Sequence, residues 1–279
     1  MKFTLQDPTG QPYEAYAYTG GKAFDPSQPT VVFIHGVLGD HSVWILQTRY
    51  LAHHGFNVLA VDLPGHARSG GEAPSSVEEA SQFVEALLDA AGVQRAALVG
   101  HSWGSLIALE TAGRLKDRIS HIALVGTAFP MKVSPALLES SLNAPMKAIE
   151  MINVFSRATL AAPPSALGPG TWVFGANTAL NRRVLASNPR VNVFHRGFVA
   201  CDSYANGLQA MAALTCPVLF VLGDQDQMTT PRAAQSLVHQ ARDTGKTHEV
   251  VRVPMGHHQM TESPEETLQA LQRFFTARL

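Results

Sequence analysis

A chain of 279 residues, 46% of them hydrophobic, can bury one large core with an elaboration or two smaller ones. Its 21 basic residues nearly cancel its 22 acidic ones and form no basic tail or helix face, so no nucleic-acid partner is expected. The N-terminus reaches the turn at Asp7-Pro8 too soon for a signal peptide, and no apolar run is long enough to span a bilayer. The expectation is a soluble cytoplasmic protein, with no membrane partner and with Cys201 and Cys216 as free thiols.

Phe3 to Gln6 and Tyr13 to Thr19 alternate partially about Asp7-Pro8-Thr9-Gly10, which predicts an antiparallel hairpin at a sheet edge. Val31-Val32-Phe33-Ile34 is wholly apolar, as in the middle of a parallel sheet, and the loop His35-Gly36-Val37-Leu38-Gly39-Asp40 follows it. A helix is expected from about Ser42 to His54, then a strand at Val58 to Val61. The polar loop from Asp62 to Gly70 comes next. Asp62 and His66 there are catalytic residue types, but they read better as groups holding the rim, with Asp62 accepting from loop amides and from Arg68. Ser75-Ser76-Val77-Glu78-Glu79 starts a capped helix that Gly92 ends.

Ala96 to Val99 is a strand, and Ser105 onward has helical spacing. Gly100-His101-Ser102-Trp103-Gly104 lies between them, a G-x-S-x-G pattern that fits a sharp strand-to-helix turn with an exposed serine hydroxyl. After a strand at Ile119 to Val125, alternation stops. Residues 129–214 hold helical stretches and Pro163-Pro164 and Pro169, but no clear buried strand, which predicts a helical lid between two core segments, 1–128 and 215–279. Met146, Ile149, Met151, Ile152, Phe155, Trp172 and Phe174 are its apolar candidates for packing or for a substrate. Strands at Val218 to Leu222 and His248 to Val253 resume the pattern, with helices expected from Pro231 to about Arg242 and from Pro264 to Leu279.

A serine hydroxyl is a weak nucleophile unless a histidine takes its proton and a carboxylate orients the imidazole. The loops after the last two strands supply both at the rim that carries Ser102. Asp226 is favoured over Asp224, which sits where it would cap the turn, and His257 over His258, which is expected to face lid or solvent. Protonation of such a base should lower the rate in acid. Among the twelve histidines there is no H-E-x-x-H, and the pairs His53-His54 and His257-His258 lack chelating spacing, so neither metal nor cofactor is expected.

Taken together these motifs resemble the α/β-hydrolase family, in its lid-bearing serine esterase-like branch, over essentially the whole chain. The oxyanion loop matches His35-Gly36-Val37-Leu38-Gly39, the rim motif Asp62 to Ser69, and the nucleophile elbow Gly100 to Gly104. The acid motif falls on Gly223 and Asp226, with Pro231 one residue later than is usual, and the histidine motif on Gly256-His257. The resemblance implies an α/β fold with a mostly parallel eight-stranded sheet flanked by helices. It also implies an oxyanion hole made by the Val37 and Trp103 amides.

Ser102 departs from the haloalkane dehalogenase and epoxide hydrolase branches, which resemble one another in an aspartate there. The meta-cleavage C–C hydrolases often have tryptophan where this chain has His258. Proline iminopeptidases share the Ser-Trp-Gly elbow but surround an amine with lid carboxylates, and this lid offers few: Glu139, Glu150 and Asp202. The expected activity is hydrolysis of a small, largely apolar carboxylic ester through an acyl-enzyme. C–C or amide cleavage by the same triad is the alternative, peracid formation a side reaction, and a non-enzymatic interaction module the remote reading. Oligomeric state is not legible.

Overall fold

The computed structural model describes residues 1–7, 9–25, 27–158 and 172–276. One sheet runs through them in the order β1-β2-β4-β3-β5-β6-β7-β8. β1 (Lys2–Gln6) and β2 (Pro12–Tyr18) form the antiparallel edge hairpin, closed by the Asp7 carboxylate accepting from the Thr9 and Gln11 amides. β2 is antiparallel to β4 (Asn57–Val61). The neighbours β4, β3 (Thr30–Ile34), β5 (Ala96–His101), β6 (Ile119–Val125), β7 (Val218–Gly223) and β8 (His248–Val253) are all parallel. The expected mostly parallel eight-stranded sheet is therefore what forms.

Strands β3, β5 and β6 are buried along their whole length, because helices cover both faces of the sheet and leave no wet side for polar residues. Val32, Ile34 and Leu98 point to the layer of α2 (Val77–Ala90), α3 (Trp103–Leu115) and α9 (Gln235–Asp243). Val31, Phe33 and Val99 point to that of α1 (Ile45–Ala52), α10 (Gln259–Glu262) and α11 (Pro264–Thr276). The start of α2 is capped as expected: Ser76 Oγ accepts from the Glu79 amide, and the Glu79 carboxylate accepts from the Ser75 amide.

Two helices begin later than their sequence suggests. Residues His41–Trp44 form a 3₁₀ turn, with the Asp40 side chain accepting from the Ser42 amide, before α1 starts. Pro231 does not open α9. Thr230 instead takes the Ala233 amide on its carbonyl and hydroxyl, which spends a turn before the helix begins. The end of the last helix, 277–279, lies outside the described residues.

Between β6 and β7 stand α4 (Pro135–Asn143), α5 (Pro145–Ser156), α6 (Val173–Ser187), α7 (Val193–Ser203) and α8 (Gly207–Ala213), with no strand of the sheet among the described residues. Pro163-Pro164 and Pro169 fall outside those residues. Ala148, Ile149, Val184 and Phe194 of α5 to α7 form a third apolar cluster with Leu38, which comes from the loop after β3. This cluster seats the helices above the C-terminal ends of the strands. α8 packs lower, on α3 and α9. The buried Glu110 of α3 ties the α7–α8 corner down by accepting from Tyr204 Oη at 2.7 Å and from Asn206 Nδ2 at 2.8 Å. The chain runs from β3 outward to β4, then crosses back to β5. Loops after β3 and β5 thus flank a crevice at the topological switch point.

Candidate active site

Ser102 sits at the corner between β5 and α3 with φ +53° and ψ −120°, a conformation rarely adopted by a residue with a Cβ. Close packing holds it there. A Cβ on Gly100 would run into the Gly104 carbonyl, and one on Gly104 into the carbonyls of Ile34 and His35, so the flanking glycines let helix and strand meet. The Ser102 amide donates to Val125 O at 3.0 Å, and its carbonyl accepts from the Ser105 amide at 2.8 Å. Trp103 is the first residue of α3, where amides lack partners within the helix. Across the crevice, Leu38 has φ +54° and Gly39 N donates to Gly36 O at 3.0 Å, a tight turn that brings Val37 to the wall of the same cavity as Ser102.

The histidine and acid loops meet beside it. His257 Nδ1 lies 2.9 Å from Asp226 Oδ2. The other Asp226 oxygen accepts from the Met228 and Thr229 amides, both at 2.8 Å, and Thr229 Oγ1 donates to Oδ2 at 2.8 Å. Burial opposes ionisation of Asp226. The His257 charge and ring N–H, with the Thr229 amide and hydroxyl, outweigh it and hold the carboxyl below the usual range. With Nδ1 committed to the carboxylate, Nε2 is the nitrogen left for proton transfer. Asp224 turns away to pair with Arg252 at the surface, so the displaced Pro231 does not change which aspartate reaches the histidine.

Thr229, Gln259 and Ser156 support the site, and the sequence reading did not single them out. Gln259 Nε2 reaches Asp226 at 3.3 Å, and the His257 amide donates to the Ser156 carbonyl at 2.8 Å, which fastens the histidine loop to the end of α5. His101 Nε2–H donates to His257 O at 2.8 Å; burial pushes its pKa down to about 3, so it is a neutral strut. Thr229 stands only three residues from Asp226, whereas the contacts of Gln259, Ser156 and His101 join positions far apart in the chain and so have no periodic signature.

Ser102, His257 and Val37 line a cavity of about 270 Å³. Of the apolar candidates from the helical segment, Met151, Ile152 and Phe155 line it, whereas Ile149 is core and Met146 and Trp172 are exposed. Met131, Val133, Leu137, Phe198 and Met228 add to its apolar wall, and Lys132, Ser134, Gln227 and Thr229 are its further polar residues. His258, expected to face lid or solvent, is half-buried in a smaller chamber next to Ser102 that it shares with Ser156, Asn177 and Asn181 of the helical segment.

At the rim, Asp62 accepts from the His41 amide, the His41 ring and the Arg68 amide. The Arg68 guanidinium goes to Tyr16 Oη instead. Asp40, His41 and Asp62 form one group whose ligand-type atoms lie within 4.8 Å of one another. Those atoms are already engaged, since Asp40 is held by Ser42 and Arg183 and His41 by Asp62. No helix among the described residues is long and apolar enough to cross a membrane.

Comparison with known proteins agrees with this architecture. RutD of Klebsiella pneumoniae, named for carbamate hydrolysis, is 26% identical over 267 residues that cover 89% of this chain and 91% of RutD. A dihydrolipoyllysine-residue acetyltransferase component of the acetoin cleaving system of Cupriavidus necator is 37% identical over 111 residues. That match covers 39% of this chain and only 28% of the relative's length. Among solved structures, an esterase from Exiguobacterium antarcticum superposes with a TM-score of 0.80 at 16% identity, covering 99% of this chain and 100% of that one. The enol-lactonase of Burkholderia xenovorans LB400 superposes at 0.78 with 21% identity, covering 95% and 97%. Likeness at such identities speaks for the fold alone. Residues 29–264 match the family description of the alpha/beta hydrolase fold, and the chain belongs to that family.

Proposed function

We propose that the protein is a serine hydrolase of small, largely apolar carboxylic esters that works through an acyl-enzyme. One observation carries the reading: the hydrogen-bonded Asp226–His257 pair opens onto the same apolar cavity as the serine held at positive φ in the elbow. Ser102 Oγ attacks the ester carbonyl carbon while His257 Nε2 takes its proton, and Asp226 holds the ring and stabilises its charged form. The Val37 and Trp103 amides receive the oxyanion. Collapse breaks the C–O bond, and the alcohol leaves with the proton from His257. Water then attacks the acyl carbon, giving a proton to His257, and collapse breaks the bond to Ser102 Oγ, which takes that proton back from His257 as the acid is released.

An ester is favoured over an aminoacyl amide because the cavity wall carries no carboxylate among the described residues. Asp202 spends its carboxylate on Lys132 and the Val133 amide instead. The helices α4 to α7 act as the lid, supplying Leu137, Met151, Ile152, Phe155 and Phe198 to the wall. Steady-state assay against short-chain aryl esters, lactones, aminoacyl arylamides and vinylogous diketones tests the reading, with Ser102→Ala as control. Turnover of aryl esters lost in Ser102→Ala supports it, and turnover confined to diketones or arylamides overturns it.

A further inference from the structure

An ester carbonyl carries two substituents, and they leave its carbon in different directions. Two spaces meet at Ser102 to receive them, and they differ about fivefold in size: the main cavity of about 270 Å³ and the chamber of about 50 Å³. Val37, Ile152, Phe198 and Met228 line both, so both are largely apolar where they meet at Ser102 and His257. From that shared part they diverge. The cavity extends to Leu137 of α4 and to Gln227 of the acid loop, whereas the chamber extends to Asn177 and Asn181 of α6 and to His258. Helix α5 packs against both α4 and α6, and its Ile152 is a wall of each space.

The two ends also differ in how far they yield. Met131 and Met151 line the cavity alone, and an unbranched side chain with three rotatable bonds refits around groups of different length. Its outer residues Lys132, Ser134 and Gln227 are exposed, so a chain entering it can run on towards solvent. The chamber ends instead on Ser156, Asn177 and Asn181, all of them buried. Each is tied down. Asn181 Nδ2 donates to Leu38 O at 3.1 Å, Asn177 Nδ2 donates to Asn153 Oδ1, and the Ser156 carbonyl accepts the His257 amide at 2.8 Å. Asn153 is fixed in turn, its Nδ2 donating to Thr178 Oγ1 at 2.9 Å. A longer group on this side would have to break buried hydrogen bonds to make room, whereas on the other side it has only to turn methionine side chains.

We propose that the protein sorts its esters by unequal size: the substituent entering the chamber is limited to about three non-hydrogen atoms, and the one entering the cavity can be long and apolar. This limit rests on the serine-hydrolase reading above. Three isomeric eight-carbon esters measure it. Hexyl acetate is small on the acyl side, methyl heptanoate on the alcohol side, and butyl butanoate on neither. Either hexyl acetate or methyl heptanoate should exceed both other isomers in kcat/KM by at least about tenfold, and which one it is names the side that enters the chamber. His258→Ala and Asn177→Ala each remove part of the chamber wall, so each should bring butyl butanoate several-fold closer to the preferred isomer. Asn177 also bonds Asn153, so His258→Ala decides the matter if Asn177→Ala does not melt as a folded protein. Butyl butanoate turned over as well as the better of the others, both others turned over alike, or a ratio unmoved in the folded variants overturns the size limit while leaving the esterase reading standing. So does failure on all three by protein that hydrolyses aryl esters. Wild-type protein that turns over no ester, or whose turnover survives Ser102→Ala, removes the serine-hydrolase reading and the size limit with it.

Discussion

Two aspartate–histidine pairs stand at the C-terminal edge of this sheet, and their geometry is nearly the same. Asp62 after β4 lies 2.8 Å from His41 Nδ1, and Asp226 after β7 lies 2.9 Å from His257 Nδ1. Both carboxylates also accept two backbone amides, and both are buried. The difference lies in what the imidazole faces. The His41 ring packs against Tyr16 at 5.0 Å and against Tyr18, under the edge hairpin, and lines neither chamber next to Ser102. His257 opens onto the cavity that holds Ser102. A hydrogen-bonded pair is therefore not a catalytic signature in itself; what sets these two apart is whether the imidazole opens onto the cavity that holds the serine.

Substitutions at matched positions are the sharpest way to break this comparison. If His257 is the base, His257→Ala should abolish acylation of an aryl ester, and Asp226→Asn should lower kcat by about 10⁴-fold, by analogy with the serine proteases, because the ring can settle in the wrong tautomer. Burst kinetics on protein with a native circular dichroism spectrum checks both; near-normal turnover in a folded His257→Ala removes it from the base role. Asp62→Asn should do the reverse. It weakens acceptors for two amides and a ring nitrogen, so a stability loss of about 1–3 kcal/mol is expected, with kcat of the folded fraction kept within a few-fold. Denaturant titration measures the first quantity, and an activity loss matching that of Asp226→Asn would erase the distinction between the pairs.

Acid should act on the two regions through their buried histidines. His101 beside His257 and His66 in the rim loop are both pushed down to about 3, chiefly by burial and then by the charge of a neighbouring histidine. The unfolded chain binds protons near pH 6.5 and the folded chain does not, so this stability is complete above about 6.5 and is lost as pH falls from there towards about 3. Each histidine can contribute a slope of up to about 1.4 kcal/mol per pH unit in that window. Melting curves between pH 7.5 and 5 should show the fall, and His101→Gln should flatten it. A melting temperature independent of pH over that range would contradict the buried neutral assignment.

The smallest effects belong to the neighbours of the proposed catalytic residues. His258→Ala should leave a working Asp226–His257 pair and alter the ratio of kcat/KM between esters several-fold, since the ring lines the chamber behind Ser102. Asp224→Asn breaks only a surface ion pair with Arg252, so less than about 1 kcal/mol and no kinetic change are expected. A loss in Asp224→Asn exceeding that in Asp226→Asn would reverse the assignment of the acid.

Most of the sheet was legible in the chain because strand and helix periodicity are local. Val31 to Ile34 and Ala96 to Val99 are continuous apolar runs, and a strand covered on both faces needs nothing else. The elbow was legible for the same reason: the steric demand at Ser102 is met by glycines two residues away on either side, Gly100 and Gly104. Helix starts such as those of α1 and α9 were less so, because Asp40 and Thr230 compete locally for the first amides.

What tertiary structure alone decided is which groups share a space. Asp226 and Asp224 are two residues apart and chemically identical, yet one meets His257 and the other Arg252, a choice made by how the loops after β7 and β8 cross. The role of Ser156 as an anchor for the His257 amide, and the convergence of Asn181 and His258 behind Ser102, join α5, α6 and the last loop across long stretches of sequence. No local periodicity encodes such contacts. They exist because burying Ile149, Val184 and Phe194 against Leu38 brings those helices down over the switch point, and the polar residues on their undersides are carried there with them.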